Sequence, residues 1–285
     1  MTLTGKARLA GVVGWPVAHS LSPVLHGHWL AEYGIDGAMV PLAARIEDFA
    51  AVIDGVRRAG FKGVNVTVPH KEAAFALAHR ADAAARSAGA ANLLVFGEDG
   101  IEGRNTDALG LAESLREAIG ALRGKTAVLL GAGGAARGAI LALEMLGAGK
   151  IHLLNRDASR AKTLAGSLAA QVKTKIVPGA LRDWGNAAGD AALIVNSTSA
   201  GMGANPPLDI DLEALPKSAA VCDIVYNPLE TKLLKDAAAR GHQTIDGLGM
   251  LMHQAAPSFE AFFGVKPHVT PALRAALEKI LRACP

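Results

Sequence analysis

Residues 131–138 read Gly-Ala-Gly-Gly-Ala-Ala-Arg-Gly, directly behind the apolar run Thr126-Ala127-Val128-Leu129-Leu130 and ahead of a helical pattern over 135–146. A strand that turns on glycines into a helix N-terminus can hold a pyrophosphate. The glycines permit a tight turn and close backbone approach, and the free N–H groups and helix dipole face the anion. The next strand, over 150–154, ends in Asn155-Arg156 and puts a cation where an adenosine 2′-phosphate would sit. A strand serving NAD more often ends in Asp or Glu, so the pattern predicts NADP, with Arg160 one helical turn further on as a second cation. Two features keep alternatives open. Asp157 beside Arg156 could turn toward a ribose hydroxyl and admit NAD, and Arg156 and Arg160 also read as a solvated surface pair. The turn is Gly-x-Gly-Gly rather than the common spacing; other nucleotide or adenosyl-methionine folds use similar turns, and close strand–helix packing alone would use similar glycines.

The glycine unit starts mid-chain, and the hundred or so residues before it are enough for a domain. With 285 residues in all, two domains are expected. Strand and helix patterns alternate along the chain, so the fold class is α/β. The first series has strands over 9–15, 38–42 and 63–68, the last cut off by Pro69, and a hairpin formed by 91–96 and 101–104. Its helices run over 22–33, 46–58 and 71–79, the second amphipathic with Ile46, Phe49, Val52, Ile53 and Val56 at helical spacing. A bridging helix over 108–119 leads into strands over 126–130, 150–154, 175–177, 191–195, 220–225 and 243–246. Two helical segments, 250–263 and 270–283, close the chain. The expected organisation is an open α/β domain over 1–107, a Rossmann-type domain over 108–246, and C-terminal helices over 247–285 returning to the first domain.

Hydrophobic residues make up 51% and charged residues 19%, which excludes a disordered chain. A formal charge of +3 with scattered basic residues gives no support to nucleic-acid binding. The two cysteines, Cys222 and Cys284, do not make a disulfide framework, and a reducing cytoplasm is the simplest compartment. No signal-peptide pattern opens the chain, and its apolar runs are too short to span a membrane, so a soluble protein is expected. His19, His26, His28 and His70 lack metal-ligand spacing, so no metal site is expected.

Polar residues cluster where a first domain has little structural use for them. Ser20 and Ser22 flank Leu21 in the turn after the first strand. Ser22 before Pro23 also reads as a helix N-cap. Asn65 and Thr67 alternate with valines and share one strand face near its C-terminal end, where ligands of open α/β sheets bind. Lys71 stands at a helix start, where the dipole disfavours a cation without a partner, and reads either as ordinary surface or as a candidate acid–base. Asn92 opens a strand, and Asp107, after Asn105-Thr106, reads as an N-cap of the bridging helix.

Together these motifs resemble shikimate dehydrogenases. The residues that carry the resemblance are Pro16-Val17-Ala18-His19-Ser20-Leu21-Ser22-Pro23, Asn65-Val66-Thr67-Val68-Pro69-His70-Lys71 and Asn105-Thr106-Asp107, followed by Gly131-Ala132-Gly133-Gly134-Ala135. Further on come Asn196-Ser197-Thr198-Ser199-Ala200-Gly201-Met202 and Asp246-Gly247-Leu248-Gly249-Met250-Leu251, running to Gln254. The resemblance spans nearly the whole chain in family order. It implies reversible NADP-linked oxidation of shikimate to 3-dehydroshikimate, a step in aromatic amino-acid biosynthesis, and no partner beyond small molecules in a monomer or homodimer. It implies a substrate shell of Ser20, Ser22, Asn65, Thr67, Asn92, Asp107, Tyr226 and Gln254, with Lys71 as acid–base and Asp107 as its partner. Cofactor contacts are implied at Gly131, Ala132, Gly133, Gly134, Ala135, Asn155, Arg156, Arg160, Thr198, Ile224 and Gly247. The chain departs from the family pattern at Trp15, Gly27 and Asp157. Ser22, where related quinate dehydrogenases carry Thr, favours shikimate. A dual quinate/shikimate enzyme using NAD is the alternative within the family, and a non-catalytic nucleotide-sensing module is the alternative outside it.

Overall fold

The structure is a computed structural model and describes residues 3–283, which leaves Cys284 outside the described residues. The described chain divides into two compact units, one of residues 3–106 and 254–280, the other of 107–253 and 281–283.

The first unit opens with β1 (Arg8–Gly14), α1 (Ser22–Glu32), β2 (Gly37–Ala43), α2 (Phe49–Arg58) and β3 (Gly63–Val66). It continues with α3 (Lys71–Leu77), β4 (Arg80–Ala81), α4 (Ala83–Ala88), β5 (Leu93–Gly97) and β6 (Gly100–Arg104). Its sheet has the order β2-β1-β3-β5-β6-β4 and is mixed. The pairs flanking β1 are parallel, while β3–β5 and β5–β6 are antiparallel. Val13, Ile53, Val64, Val66, Ala74, Ala85 and Leu94 share one core.

The second unit contains α5 (Asp107–Ile119), β7 (Thr126–Leu130), α6 (Gly134–Met145), β8 (Lys150–Asn155), α7 (Ala158–Leu168) and β9 (Lys175–Ala180). After these come α8 (Trp184–Ala188), β10 (Ala191–Asn196), β11 (Ala220–Asp223), α9 (Lys232–Ala239) and β12 (Thr244–Ile245). All its strand pairs are parallel, in the order β12-β11-β10-β7-β8-β9. A parallel sheet needs cover on both faces, and the side chains of β7 show it. Ala127 and Leu129 enter the core with α5, α6 and α7, whereas Val128 and Leu130 enter the opposite core with α8 and α9. Two helices finish the chain, α10 (Gly247–Phe263) and α11 (Pro271–Ala283), and the division of the units falls within α10. Among the described residues, no helix is long and apolar enough to cross a membrane.

Several local expectations need correction. α2 begins at Phe49, and Ile46, placed on its buried face by spacing alone, lies in a turn and is 70% exposed. β3 stops at Val66, so Thr67 lies in the turn beyond it, where its carbonyl accepts from His70 N–H. The helix expected over 71–79 ends at Leu77, because residues 80–81 pair with β6. α10 starts a turn earlier than the apolar pattern suggests, as Asp246 accepts from Leu248 N–H.

Candidate functional site

In an open α/β sheet, ligands gather at the carboxyl ends of the strands where the order reverses. Here that point lies between β7 and β10. Gly131 follows β7 and Ser197 follows β10, joined by Ser197 N–H to Leu130 O at 2.9 Å and Ser197 Oγ to the same carbonyl at 2.7 Å. Gly131 has φ +107°, and a Cβ there would stand 2.9 Å from Ser197 Oγ. Only glycine fits that position. Gly133 leads into α6, and a Cβ on Gly133 or Gly134 would meet nothing within 4 Å. The helix N-terminus therefore faces open space, as an anion site requires.

A cavity of about 490 Å³ lies at this point. Gly131, Ala132, Gly133, Asn155, Arg156, Arg160 and Thr198 line it, as do Ser199 from the same motif as Thr198, and Asn205 and Asp209, which sequence reasoning did not single out. Gly134, Ala135, Ile224 and Gly247 are not among its lining residues. Gly247 has a packing reason to be glycine, since its Cβ would come 2.1 Å from Ile224 O. Thr198 is held from behind. Its N–H and hydroxyl donate to Asn196 Oδ1 at 3.0 and 2.7 Å, and Asn196 Nδ2 donates to Asp223 Oδ1 at 3.0 Å. Asp223 also accepts from Thr231 Oγ1 and Val225 N–H, while its burial pushes the carboxyl pKa up. The position of Asp223 at the carboxyl end of β11 was the available signal for this support.

Asp157 does not line the cavity. Its carboxylate caps α7, accepting from Ser159 N–H at 2.9 Å and Ser159 Oγ at 2.7 Å, and these bonds hold its pKa below the usual carboxylate value. An acid committed to a helix cap gives no reason to expect NAD in place of NADP.

The first unit carries the polar set. Ser22 is not the N-cap. Leu21 occupies that position, α1 begins at Ser22 itself, and Ser22 N–H donates to Ser20 Oγ at 3.3 Å. The Ser22 side chain is buried without a capping bond, so the structural reading of that hydroxyl fails. Lys71 is the first residue of α3 and half-buried. The residue before it is anchored: His70 stacks on Phe49 at 4.6 Å and its Nε2–H donates to Ala44 O at 2.8 Å. Lys71 O also accepts from Ala91 N–H.

Asn92 and Gln254 come together around Thr106, and Asn65 lies beside Asn92. Asn92 Nδ2 donates to Thr106 Oγ1 at 3.0 Å and to Gln254 Oε1 at 3.3 Å. Asn65 Nδ2 donates to Ser258 Oγ at 2.7 Å, and its Oδ1 is buried without a partner. Thr67, half-buried, follows Asn65 by two positions. Sequence reasoning missed Ser258, although its spacing of four from Gln254 puts both on one face of α10. Asp107 is the first residue of α5 rather than a cap before it, and it belongs to the second unit. Tyr226 belongs there too, and burial raises its pKa.

A parallel sheet of this strand order, with a glycine turn and two arginines at its switch point, defines a Rossmann-type dinucleotide-binding protein. Three family models match the chain in order: the shikimate dehydrogenase substrate binding domain over 12–94, shikimate / quinate 5-dehydrogenase over 112–203, and the shikimate 5′-dehydrogenase C-terminal domain over 247–277. The shikimate dehydrogenase (NADP(+)) of Rhodospirillum rubrum is 52% identical over 281 residues, covering 96% of this chain and 98% of that protein. That of Paramagnetospirillum magneticum is 50% identical over 279 residues, with 96% and 99% covered. The solved structure of shikimate 5-dehydrogenase from Thermus thermophilus in complex with NADP(H) and shikimate superposes with a TM-score of 0.83 at 35% identity, covering 97% of this chain and 99% of that one. The chain belongs to the shikimate dehydrogenase family.

Proposed function

We propose that this chain catalyses the reversible reduction of 3-dehydroshikimate to shikimate with NADPH, a step of aromatic amino-acid biosynthesis. The observation that carries the reading is that relatives of this activity, about half identical, span 96% of the chain. The cavity of the second unit suits the cofactor: open space at a helix N-terminus takes a pyrophosphate, and Arg156 and Arg160 suit a 2′-phosphate. Bound NADP supplies the hydride donor and acceptor at its nicotinamide.

The chain's own residues hold the substrate and move its proton. Reduction builds negative charge on the carbonyl oxygen, so a cationic donor placed there lowers the barrier, and the reverse direction needs a base at the same atom. Lys71 takes both roles in this reading, with Asp107 as its partner. Ser20, Ser22, Asn65, Thr67, Asn92, Tyr226 and Gln254 bind the hydroxyls and carboxylate. Neutral hydrogen-bonding groups of this kind reject a substrate that leaves them unpaired. The reading also makes residues 1–107 with the C-terminal helices the substrate domain, residues 108–246 the cofactor domain, and the cytoplasm the compartment.

The test is absorbance of the reduced nicotinamide with shikimate and either NADP+ or NAD+. Turnover with NADP+ is expected, with NAD+ the poorer cofactor, and a preference for quinate with NAD+ would overturn the reading. Lys71→Ala should lose about a hundredfold or more of kcat while circular dichroism stays unchanged. Near-normal turnover in that variant would remove Lys71 from the chemistry.

A further inference from the structure

Thr106 is 5% exposed and carries no role in the substrate shell outlined above, yet it touches two members of that shell from a third chain segment. Its backbone N–H donates to Asn92 Oδ1 at 2.9 Å. A backbone N–H can only donate, so this contact fixes which end of the Asn92 amide is oxygen. Nδ2 is thereby turned to Thr106 Oγ1 at 3.0 Å and to Gln254 Oε1 at 3.3 Å. The Thr106 hydroxyl spends its single proton on Gln254 O at 2.8 Å, which leaves its lone pairs to accept from Asn92. Since Gln254 Oε1 accepts from Asn92, Gln254 Nε2 is the group directed away from Asn92.

The same logic reaches Asn65. The carbonyl of Asn92 can only accept, and it lies 3.5 Å from Asn65 Nδ2, on the side where that nitrogen also donates to Ser258 Oγ at 2.7 Å. The oxygen end of Asn65 is therefore the end left over, and it is the buried Oδ1 without a partner.

We propose that Thr106 is a positioning residue that sets the amide orientation of Asn92 and, through it, of Gln254, beside an Asn65 oriented by Ser258 and the Asn92 carbonyl, in a polar cluster that receives a polyhydroxylated carboxylate. The proposal rests on the reading of the function given above. It assigns Thr106 an effect on substrate affinity and none on the cofactor. Unmade buried hydrogen bonds leave their partners unsatisfied: without the hydroxyl, Asn92 Nδ2 loses an acceptor and Gln254 O a donor, so the hold on Gln254 loosens although the Thr106 N–H still orients Asn92.

Thr106→Val keeps the shape and the backbone N–H but removes the hydroxyl, and Thr106→Ser restores it. The readouts are KM for shikimate, KM for NADP+, kcat and melting temperature in the full-length protein. Thr106→Val should raise the shikimate KM by about tenfold or more, with the NADP+ KM within about twofold of the parent. Thr106→Ser should return the shikimate KM to within about threefold of the parent. An unchanged shikimate KM in folded Thr106→Val, or an equal rise in both KM values, overturns the positioning role. If Thr106→Val does not fold, Thr106→Ala with the same readouts decides the matter by the same criteria. A parent protein inactive on shikimate overturns the functional reading itself, and with it this proposal; an active parent with an indifferent variant overturns this proposal alone.

Discussion

The cofactor site proposed for the second unit is built on a glycine turn and a helix N-terminus with Arg156 and Arg160 beside them, whereas the substrate site proposed for the first unit is a set of side-chain amides and hydroxyls that hold one another. The two solutions fit different targets. A pyrophosphate is recognised by charge and by close backbone approach, which demand an absence of side chains. A small polyol needs donors and acceptors in a fixed order, which demands side chains whose orientation is set from behind. Among the described residues, most of the buried polar atoms without a hydrogen-bond partner lie in the first unit. Asn65, Asn92 and Thr106 are almost fully enclosed and depend on partners far away in sequence. His26, nearby in the same unit, is enclosed with none for either ring nitrogen, among Trp29, Phe259, Phe262 and Phe263.

The contrast breaks most visibly at the arginines. Replacing Arg156 and Arg160 together by Ala should weaken NADP+ binding by about ten- to a hundredfold, leaving the shikimate KM and the affinity for NAD+ nearly unchanged. Isothermal titration with each cofactor measures it, and an equal loss for NAD+ would mean the pair does not read the 2′-phosphate.

A smaller effect is expected from His26 in the first unit. Burial lowers its pKa to about 3, so the folded protein keeps the ring neutral while the unfolded chain protonates it near 6.5. Between those values the unfolded state binds more protons, and stability falls as pH falls, by up to about 1.4 kcal/mol per pH unit. His26→Leu should flatten the dependence over about pH 5–6.5 and stabilise the protein by about 1 kcal/mol near neutrality. Urea unfolding of both proteins across that range measures the difference, and parallel curves would contradict the assigned cause.

The smallest effect belongs to Asp157. As the cap of α7, its replacement by Ala should lower the melting temperature slightly and leave the ratio of NADP+ to NAD+ activity where it was. A shift of that ratio toward NADP+ would show that the carboxylate reaches the cofactor after all, and the line drawn between structural and ligand-facing residues in the second unit would have to move.

Legibility followed the same division. The strand over 126–130 and the glycine turn behind it stand where the sequence puts them, because the signal is local: apolar alternation, then glycines, then a helix pattern. The same local reasoning failed at Ile46, whose spacing fits a helix face that the chain does not form there, and at Ser22, whose pairing with Pro23 imitates a cap. Asp157 was misjudged for the opposite reason, since its neighbour Arg156 drew it toward the ligand while its own hydrogen bonds go to Ser159.

The sequence by itself determined the α/β alternation, the glycine turn with its basic strand end, and the set of motifs that marks the family, because each is written in residues adjacent along the chain. Only the tertiary structure decided how the amides are oriented. Asn65 meets Ser258 across 193 residues, and Asn92 meets Gln254 across 162. Which atom of each amide faces which partner depends on donors and acceptors brought together by packing, and no local pattern encodes it.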